Sequence, residues 1–356
     1  MSTDTNKNII LLTPSMSKGG AEKQLLKIAL HLKTKGYTIK IVSLKPIDQF
    51  NGTITKSGLP VLFLKSWKGN PIANLRALYR EFSTFKPGVV IAFMFIAIIF
   101  ARILKYHFGY KLISSIRISV LPAKWYLPFN VTSGDDVIVY NSAGSKQQFE
   151  QRYPRTKTGT VIHNEISIPV LPLASAAKPG IFTWVCIGHF RWNKDYPTLF
   201  KAIARIHSQD FRVLIIGDLN GAAWPETMLR ELNLSSKIQL LGFVHEPEAR
   251  LAEADAFVLS SFSEGMPNAT LEAMALAKPV VVSDIDGNRE LLQASGAGLL
   301  SRQQDDQDLA SCMAKIMDMS AEERAILGAR GRAYVMQNFN EEGIMSQWVD
   351  LLERFK

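Results

Sequence analysis

SSFSEGMPNATLEAMALAKPVVVSD, Ser260–Asp284, joins two apolar segments of strand length through a polar turn and a short helix. Just upstream, Ala254–Leu259 (ADAFVL) is one such segment, and Pro279–Ser283 (PVVVS), rich in β-branched valine, is the other. Asn268 reads as the cap of a helix running through Ala277, and Lys278-Pro279 stops it. Strand, loop, helix and strand in this order make the repeating unit of a parallel sheet. Ligands of such sheets bind beyond the carboxyl ends of the strands, so this loop is expected to face a ligand.

The loop and helix carry two carboxylates, Glu264 and Glu272, with seven residues between them. Between the two lie Gly265 and the first turn of the helix, whose unpaired N–H groups and positive dipole end favour a phosphate. A nucleoside diphosphate sugar matches that arrangement. Its diphosphate would lie over the helix start, its sugar hydroxyls near Glu264 and its ribose hydroxyls near Glu272, because ionised oxygens accept strong directional bonds from paired hydroxyls. The same spacing also suits a solvated Glu264 and a Glu272 that only supports the first helical turn.

The run E-G-M-P-N-A-T-L-E-A-M-A followed by K-P-V-V-V-S-D resembles the donor-site signature of retaining GT-B glycosyltransferases, the family of glycosyl transferases group 1. That resemblance implies an α/β fold of two Rossmann-like domains facing across a cleft. It places Glu264, Gly265, Met266, Pro267, Asn268, Ala269, Thr270 and Glu272 on the donor.

The chain has 356 residues, enough for two domains of ordinary size, with 47% hydrophobic and 21% charged residues as in water-soluble globular proteins. Its two cysteines, Cys186 within an apolar run and Cys312, argue against a disulfide framework and fit a reducing compartment. The apolar part of the N-terminus is too short for a signal peptide or a membrane span. Val89–Ala101 is also too short to span and reads as a buried strand running into a helix. Charge is divided unevenly. Residues 1–180 hold 24 Lys and Arg against 8 Asp and Glu, a net of +16, and the remainder holds 17 against 24, a net of −7. A basic half points to an anionic partner: a membrane surface, a lipid diphosphate or nucleic acid. Zinc spacings, RNA-binding aromatic motifs and basic tracts are absent, so nucleic acid is disfavoured against a membrane-borne acceptor. Solubilising surface lysine is the plainer account.

Asn8–Thr13 (NIILLT), Gly19-Gly20-Ala21-Glu22, an amphipathic helix ended near Gly36 and Tyr37–Leu44 form a Rossmann-like opening. The G-x-G-x-x-G fingerprint of a dehydrogenase is missing. By resemblance, Gly19 and Gly20 close over the donor diphosphate or the acceptor. A helix beginning after Asn70-Pro71 has Leu75, Leu78, Tyr79 and Phe82 on one face with Arg76 and Arg80 beside them, the form of an interfacial helix or of an ordinary surface helix. Lys124–Phe129 (KWYLPF) reads as an aromatic, basic loop at headgroup level or as a core cover. Lys111–Ser115 ends near Arg117, which is always protonated and so stabilises charge or holds the acceptor rather than acting as a base. His163 is a candidate catalytic group or a turn histidine. The turn around it departs from the family pattern at Glu165 and Ser167.

Ile168–Gly180, rich in Pro, Ala and Ser, reads as a linker between an acceptor-binding domain at 1–167 and a nucleotide-sugar domain at 181–340. A terminal helix, 341–356, packs back on the first domain by resemblance. In the second domain Gly188–Asp195 (GHFRWNKD) resembles the family loop whose cations neutralise the diphosphate. Lys194 matches directly, His189 stands where the family has arginine, and Arg191 is the nearby substitute. Val244 falls where relatives hold the base through backbone atoms. The resemblance thus implies a retaining hexosyl- or N-acetylhexosaminyl-transferase using a nucleoside diphosphate sugar, with uridine the commonest base. The sugar passes to a glycan acceptor carried on a lipid at the inner face of the cytoplasmic membrane, with no further cofactor and no motif demanding a metal. Glu264, Lys194, Arg191 and Arg117 carry the catalysis. A sugar-nucleotide epimerase, a soluble small-sugar synthase and a non-catalytic nucleotide-sugar-binding module are the rival functions.

Overall fold

The computed structural model describes residues 6–17, 19–117, 121, 123–154, 159–168 and 180–355; most of the expected linker, residues 169–179, lies outside the described residues. The chain divides into two compact units, residues 1–164 with 342–356 and residues 165–341. Each is built on a parallel sheet, so the expected pair of Rossmann-like α/β domains is present.

The first sheet contains β1 (Asn8–Thr13), β2 (Thr38–Ser43), β3 (Val61–Phe63), β4 (Val89–Phe93), β5 (Lys111–Ile116), β6 (Val137–Tyr140) and β7 (Thr160–Val161). Its order is β3-β2-β1-β4-β5-β6-β7. Along β1 the side chains alternate between two cores. Ile9 and Leu11 join the cluster that includes Trp348, Leu351 and Leu352 of the C-terminal helix Glu341–Glu353, while Ile10 and Leu12 join the cluster around Phe82, Phe95 and Phe149. Period-two alternation with both faces apolar is what a strand covered on both sides requires. The terminal helix therefore supplies part of the first unit's core, with Trp348 fully buried.

The second sheet contains β8 (Phe182–Ile187), β9 (Phe211–Ile216), β10 (Ile238–Gly242), β11 (Ala256–Leu259), β12 (Val280–Ser283) and β13 (Gly298–Ser301), in the order β10-β9-β8-β11-β12-β13. The chain runs outward from β8 to β10 and then returns to lay β11 beside β8. That reversal opens a crevice beyond the carboxyl ends of β8 and β11, where doubly wound sheets bind ligands. The corresponding switch in the first sheet falls between β1 and β4.

Several local expectations are corrected. Asn268 is not a cap: the helix Asn268–Ala275 starts at it, Pro267 holds the N-cap position in extended conformation, and no side chain caps the end. Proline's ring fixes φ near the required value, which sets the entry angle without a capping hydroxyl. The helix stops two residues sooner than expected because Ala277 turns into the left-handed region at φ 55. In the helix Pro71–Phe85, Leu78 and Phe82 are buried but Leu75 and Tyr79 are exposed, so the four do not share one face toward the core. Lys124–Phe129 is not a loop but part of the helix Ala123–Val131, with Pro128 inside it. Phe129 anchors that helix under the Arg102 guanidinium, 4.1 Å from its ring centre, and Arg102 is in turn ion-paired with Asp135 at 2.6 Å. The short strands β3, β7 and β13 were too brief to register as periodic runs.

Candidate functional site

The crevice at the switch point of the second sheet is lined by two loops, one leaving β8 and one leaving β11. After β8 the chain passes Gly188, His189 and Phe190, makes a single 3-10 turn at Trp192–Lys194, and enters the helix Tyr196–Arg205 through Asp195 at φ 49. Short polar side chains tolerate that left-handed geometry better than most. After β11 the chain runs from Ser260 to Gly265 and into the helix Asn268–Ala275.

The two loops are stitched together by hydrogen bonds. Phe262 N–H donates to the Asn193 carbonyl at 3.0 Å, and Asn193 Nδ2 donates to the Ser263 carbonyl at 3.0 Å. Ser260 Oγ lies 3.0 Å from both the Lys194 and Asp195 carbonyls. Across this seam Lys194 Nζ sits 2.6 Å from Glu264 Oε1, each side chain less than one-fifth exposed. The stem of Lys194 runs along Gly188, where an added Cβ would lie 3.1 Å from Lys194 Cε. Phe190 and Tyr196 stack at 3.9 Å beneath the loop, and Tyr196 donates to the Gly188 carbonyl. Burial pushes the neighbouring Cys186 thiol up to about 12, so it stays protonated and takes no nucleophilic part at neutral pH.

Two glycines make the crevice possible. A Cβ on Gly217 would stand 1.9 Å from the Gly188 carbonyl oxygen, so β9 and the β8 loop approach at a distance only glycine permits. A Cβ on Gly287 would stand 2.3 Å from the Gly265 oxygen. That contact seats the helix Asp286–Ser295 against the Gly265–Pro267 turn, and Thr270 Oγ1 lies 3.4 Å from Asn288 Oδ1 behind it.

Of the residues singled out from sequence, His189, Arg191, Lys194, Val244, Glu264, Gly265, Met266, Pro267, Asn268, Ala269, Thr270 and Glu272 all belong to the second unit. Lys194 and Glu264 meet directly. Met266, Pro267 and Thr270 are buried supports, while Glu272 is half-buried on the helix. His189 accepts a hydrogen bond at Nδ1 from the Asp218 N–H at 3.1 Å. Arg191 is exposed, and its carbonyl accepts from the Lys194 N–H at 3.0 Å. The His189 ring runs within 10° of parallel to Phe243, centres 6.5 Å apart, which brings the Gly242–Val244 bend beside the β8 loop.

Gly19, Gly20 and Arg117 belong to the first unit. Gly19 is extended, not left-handed, and Glu22 folds back across it while accepting from Ser17 Oγ at 3.1 Å. Arg117 is buried at the end of β5. Its Nε donates to Ser115 Oγ at 2.8 Å and its Nη1 to Asn164 Oδ1 at 2.5 Å, and its plane lies over Phe93 and Trp348. Nη2 has no hydrogen-bond partner among the described residues. Burial pulls this guanidinium down to about 9, which still leaves it charged at neutral pH. His163 donates from Nδ1 to the Asn141 carbonyl at 3.1 Å, the bond of a turn histidine.

Asn193, Ser260, Asp218 and Phe243 were not singled out from sequence. The bonds that join Asn193 and Ser260 to their partners span 65 to 71 positions of chain, and no local pattern signals them. Among the described residues no group of three or more His, Cys, Asp or Glu is placed to hold a metal ion, and no helix is long and apolar enough to cross a membrane.

Residues 182–319 match the family of glycosyl transferases group 1. The chain is 32% identical over 192 residues to the putative colanic acid biosynthesis glycosyltransferase WcaL of Escherichia coli, covering 51% of this chain and 47% of that protein. It is 30% identical over 172 residues to the N-acetylgalactosamine-N,N'-diacetylbacillosaminyl-diphospho-undecaprenol 4-alpha-N-acetylgalactosaminyltransferase of Campylobacter jejuni, covering 46% of each. The chain spans about half the length of the curated relatives it matches. Among solved structures, Anabaena HepE in complex with UDP and glucose is similar with a TM-score of 0.85 at 19% identity, over 98% of this chain and 99% of that one. The sucrose-phosphate synthase of Thermosynechococcus elongatus is similar with a TM-score of 0.82 at 18% identity, over 98% of each. At these identities the likeness is one of fold, the GT-B architecture.

Proposed function

We propose that this chain, whose residues 182–319 match the glycosyl transferases group 1 family, moves a sugar from a nucleoside diphosphate sugar to a hydroxyl of a glycan acceptor, with retention of anomeric configuration. The observation that carries this reading is the Lys194–Glu264 pair at the switch-point crevice, a cation and a carboxylate side by side at the opening of a helix. Lys194 and Arg191 neutralise the leaving diphosphate together with the N–H groups that open the helix Asn268–Ala275. Glu264 accepts from the sugar hydroxyls, Glu272 from the ribose, and backbone at Val244 meets the base. Uridine is the base proposed, in keeping with the UDP bound by HepE.

Reaction follows the front-face route. The bond from the anomeric carbon to the diphosphate oxygen breaks, that oxygen takes the proton of the acceptor hydroxyl, and the acceptor oxygen bonds the same face of the carbon. Catalysis then rests on orientation and charge neutralisation by side chains, with no metal required. In the first unit, the Gly20 N–H is left to meet an anionic group of the substrate, since the Gly19 N–H donates to the Ser17 carbonyl at 2.7 Å, and Arg117 Nη2 is assigned to a polar group of the acceptor.

The acceptor is proposed to be lipid-linked, as the name of the Campylobacter relative states for that enzyme. A surface of the first unit supports this. Ile72, Leu75 and Tyr79 form an exposed stripe with Arg76 and Arg80 between them. Tyr79 Oη lies 2.9 Å from His107 Nε2 of the adjoining helix, next to the exposed Tyr106. Apolar side chains interleaved with cations suit an anionic bilayer surface. Such contact would hold the protein peripherally at the inner face of the cytoplasmic membrane, as part of surface polysaccharide assembly.

The test is a panel of nucleoside diphosphate sugars screened for thermal stabilisation of the full chain, followed by NMR of the product formed with a lipid-linked glycan. Stabilisation by a UDP-sugar and a product with the donor's anomeric configuration are expected. Stabilisation by none of the panel, or conversion of the sugar without an acceptor, overturns the reading.

A further inference from the structure

Trp192 is 78% exposed, the highest value of any large apolar side chain among the described residues. It is not a mobile ornament of the loop. It begins the 3-10 turn Trp192–Lys194, which is closed by the Lys194 N–H on the Arg191 carbonyl at 3.0 Å. Its neighbour Asn193 is bonded on both its backbone and its side chain to the loop after β11. The indole lies against Phe262 of that loop, ring centres 4.9 Å apart and planes 51° from parallel. Two residues beyond Trp192 is Lys194, and two beyond Phe262 is Glu264, so the aromatic pair borders the ion pair of the crevice.

Leaving an indole in water forfeits the burial of a large apolar surface, a loss that the fold does not need to accept at a rigid turn. A binding partner recovers it. The exposed feature is a single indole beside a half-buried phenyl ring, flanked by the polar Arg191 and Asn193. That is far smaller than the roughly 800 Å² per partner of a stable protein interface. A nucleobase can also stack on one indole face, but the donor reading given above already assigns the base to the backbone at Val244. The face of an indole is electron-rich. Its complement is the C–H face of a pyranose, which is apolar and weakly positive, while the sugar's hydroxyls stay in water or turn to Arg191 and Asn193.

We infer that Trp192, backed by Phe262, is a stacking platform for a pyranose ring of the acceptor saccharide. The assignment to the acceptor rests on the donor reading given above, in which the Lys194–Glu264 pair is occupied by the diphosphate and the donor sugar; the ring next to it is then the one that receives the sugar.

The experiment is saturation-transfer NMR on the full chain with disaccharides ending in glucose, galactose, N-acetylglucosamine or N-acetylgalactosamine, with UDP affinity measured by calorimetry on the same samples. Ring C–H protons of at least one disaccharide are expected to receive saturation. Trp192→Ala is expected to weaken that sugar roughly tenfold, as the loss of one good contact does, with UDP affinity unchanged. Trp192→Phe keeps most of the binding. The platform is overturned if no disaccharide receives saturation from the unmutated chain, if Trp192→Ala binds sugar as well as the unmutated chain does, or if it loses UDP affinity to the same degree. Saturation transfer without any UDP binding removes the donor reading and leaves the sugar platform standing.

Discussion

Lys194 and Glu264 lie 70 positions apart in the chain and 2.6 Å apart in space, joining the loops that leave two neighbouring strands at the switch point of the second sheet. On the proposed reading Lys194 neutralises the diphosphate while Glu264 accepts from the donor sugar. Lys194→Ala is expected to lower kcat by roughly a hundredfold, the size found when one charge-stabilising donor is removed from a transition state. Steady-state rates with a saturating donor measure it. A near-normal rate would mean that Arg191 and the backbone suffice.

Glu264 and Glu272 are expected to separate in their effects. Glu272→Ala should weaken nucleotide binding severely, since it removes an ionised acceptor of hydroxyl bonds. Glu264→Ala should mainly reduce turnover. Calorimetry with UDP, set beside rates on the full donor, distinguishes the two, and unchanged UDP affinity in the Glu272 variant counts against the ribose assignment.

Gly217→Ala forces a methyl group to within 1.9 Å of the Gly188 carbonyl oxygen, a backbone atom that cannot swing aside. Destabilisation of about 1–3 kcal/mol is expected, as for other overpacked sites. UDP affinity should fall with it, because the displaced strand end carries the Lys194 loop. Gly52→Ala is the control: an added Cβ there meets nothing within 4 Å, and urea midpoints should be equal to or above those of the unmutated chain.

Trp348→Ala should destabilise the first unit by about 3–5 kcal/mol, the range for deleting a buried aromatic side chain. Thermal unfolding followed by circular dichroism reports it, and an unchanged midpoint would show that the terminal helix adds little to that core.

Asp136 supplies a pH dependence. Burial alone would raise its carboxyl, but the Lys105 ammonium, the Leu112 N–H and the charge of Lys111 outweigh it and hold the group below the usual carboxylate range. A folded value below the unfolded one contributes stability above the ordinary carboxylate pKa, and that contribution is lost as pH falls through the folded value. Asp136→Asn should therefore flatten the stability profile on the acid side, measured by urea unfolding from about pH 6 to about pH 2. A profile as steep as that of the unmutated chain would place the acid sensitivity elsewhere.

The parallel sheets were legible before any coordinates. PVVVS and ADAFVL can be little other than buried strands, and the polar turn between them with Glu264 and Glu272 marks the ligand end. Lys194 is legible through the resemblance of Gly188–Asp195 to the family loop whose cations neutralise a diphosphate. Boundaries fared worse. Asn268 has a side chain that suits a cap, but Pro267 holds the N-cap position. KWYLPF reads as an aromatic, basic loop or a core cover, whereas it is helical with Phe129 packed under Arg102.

Strand identity, apolar period and the charge split between the halves were thus determined by the sequence alone, because each is written within a window of a few residues or in composition. Which side chains meet was decided by the tertiary structure. Laying β11 beside β8 brought Glu264 to Lys194 and Phe262 to Trp192, and a helix's neighbours determined that Leu78 is covered while Leu75 is not. Residue spacing along a strand or helix is a property of the local backbone, whereas contact across a sheet depends on strand order, which side-chain burial over the whole unit selects.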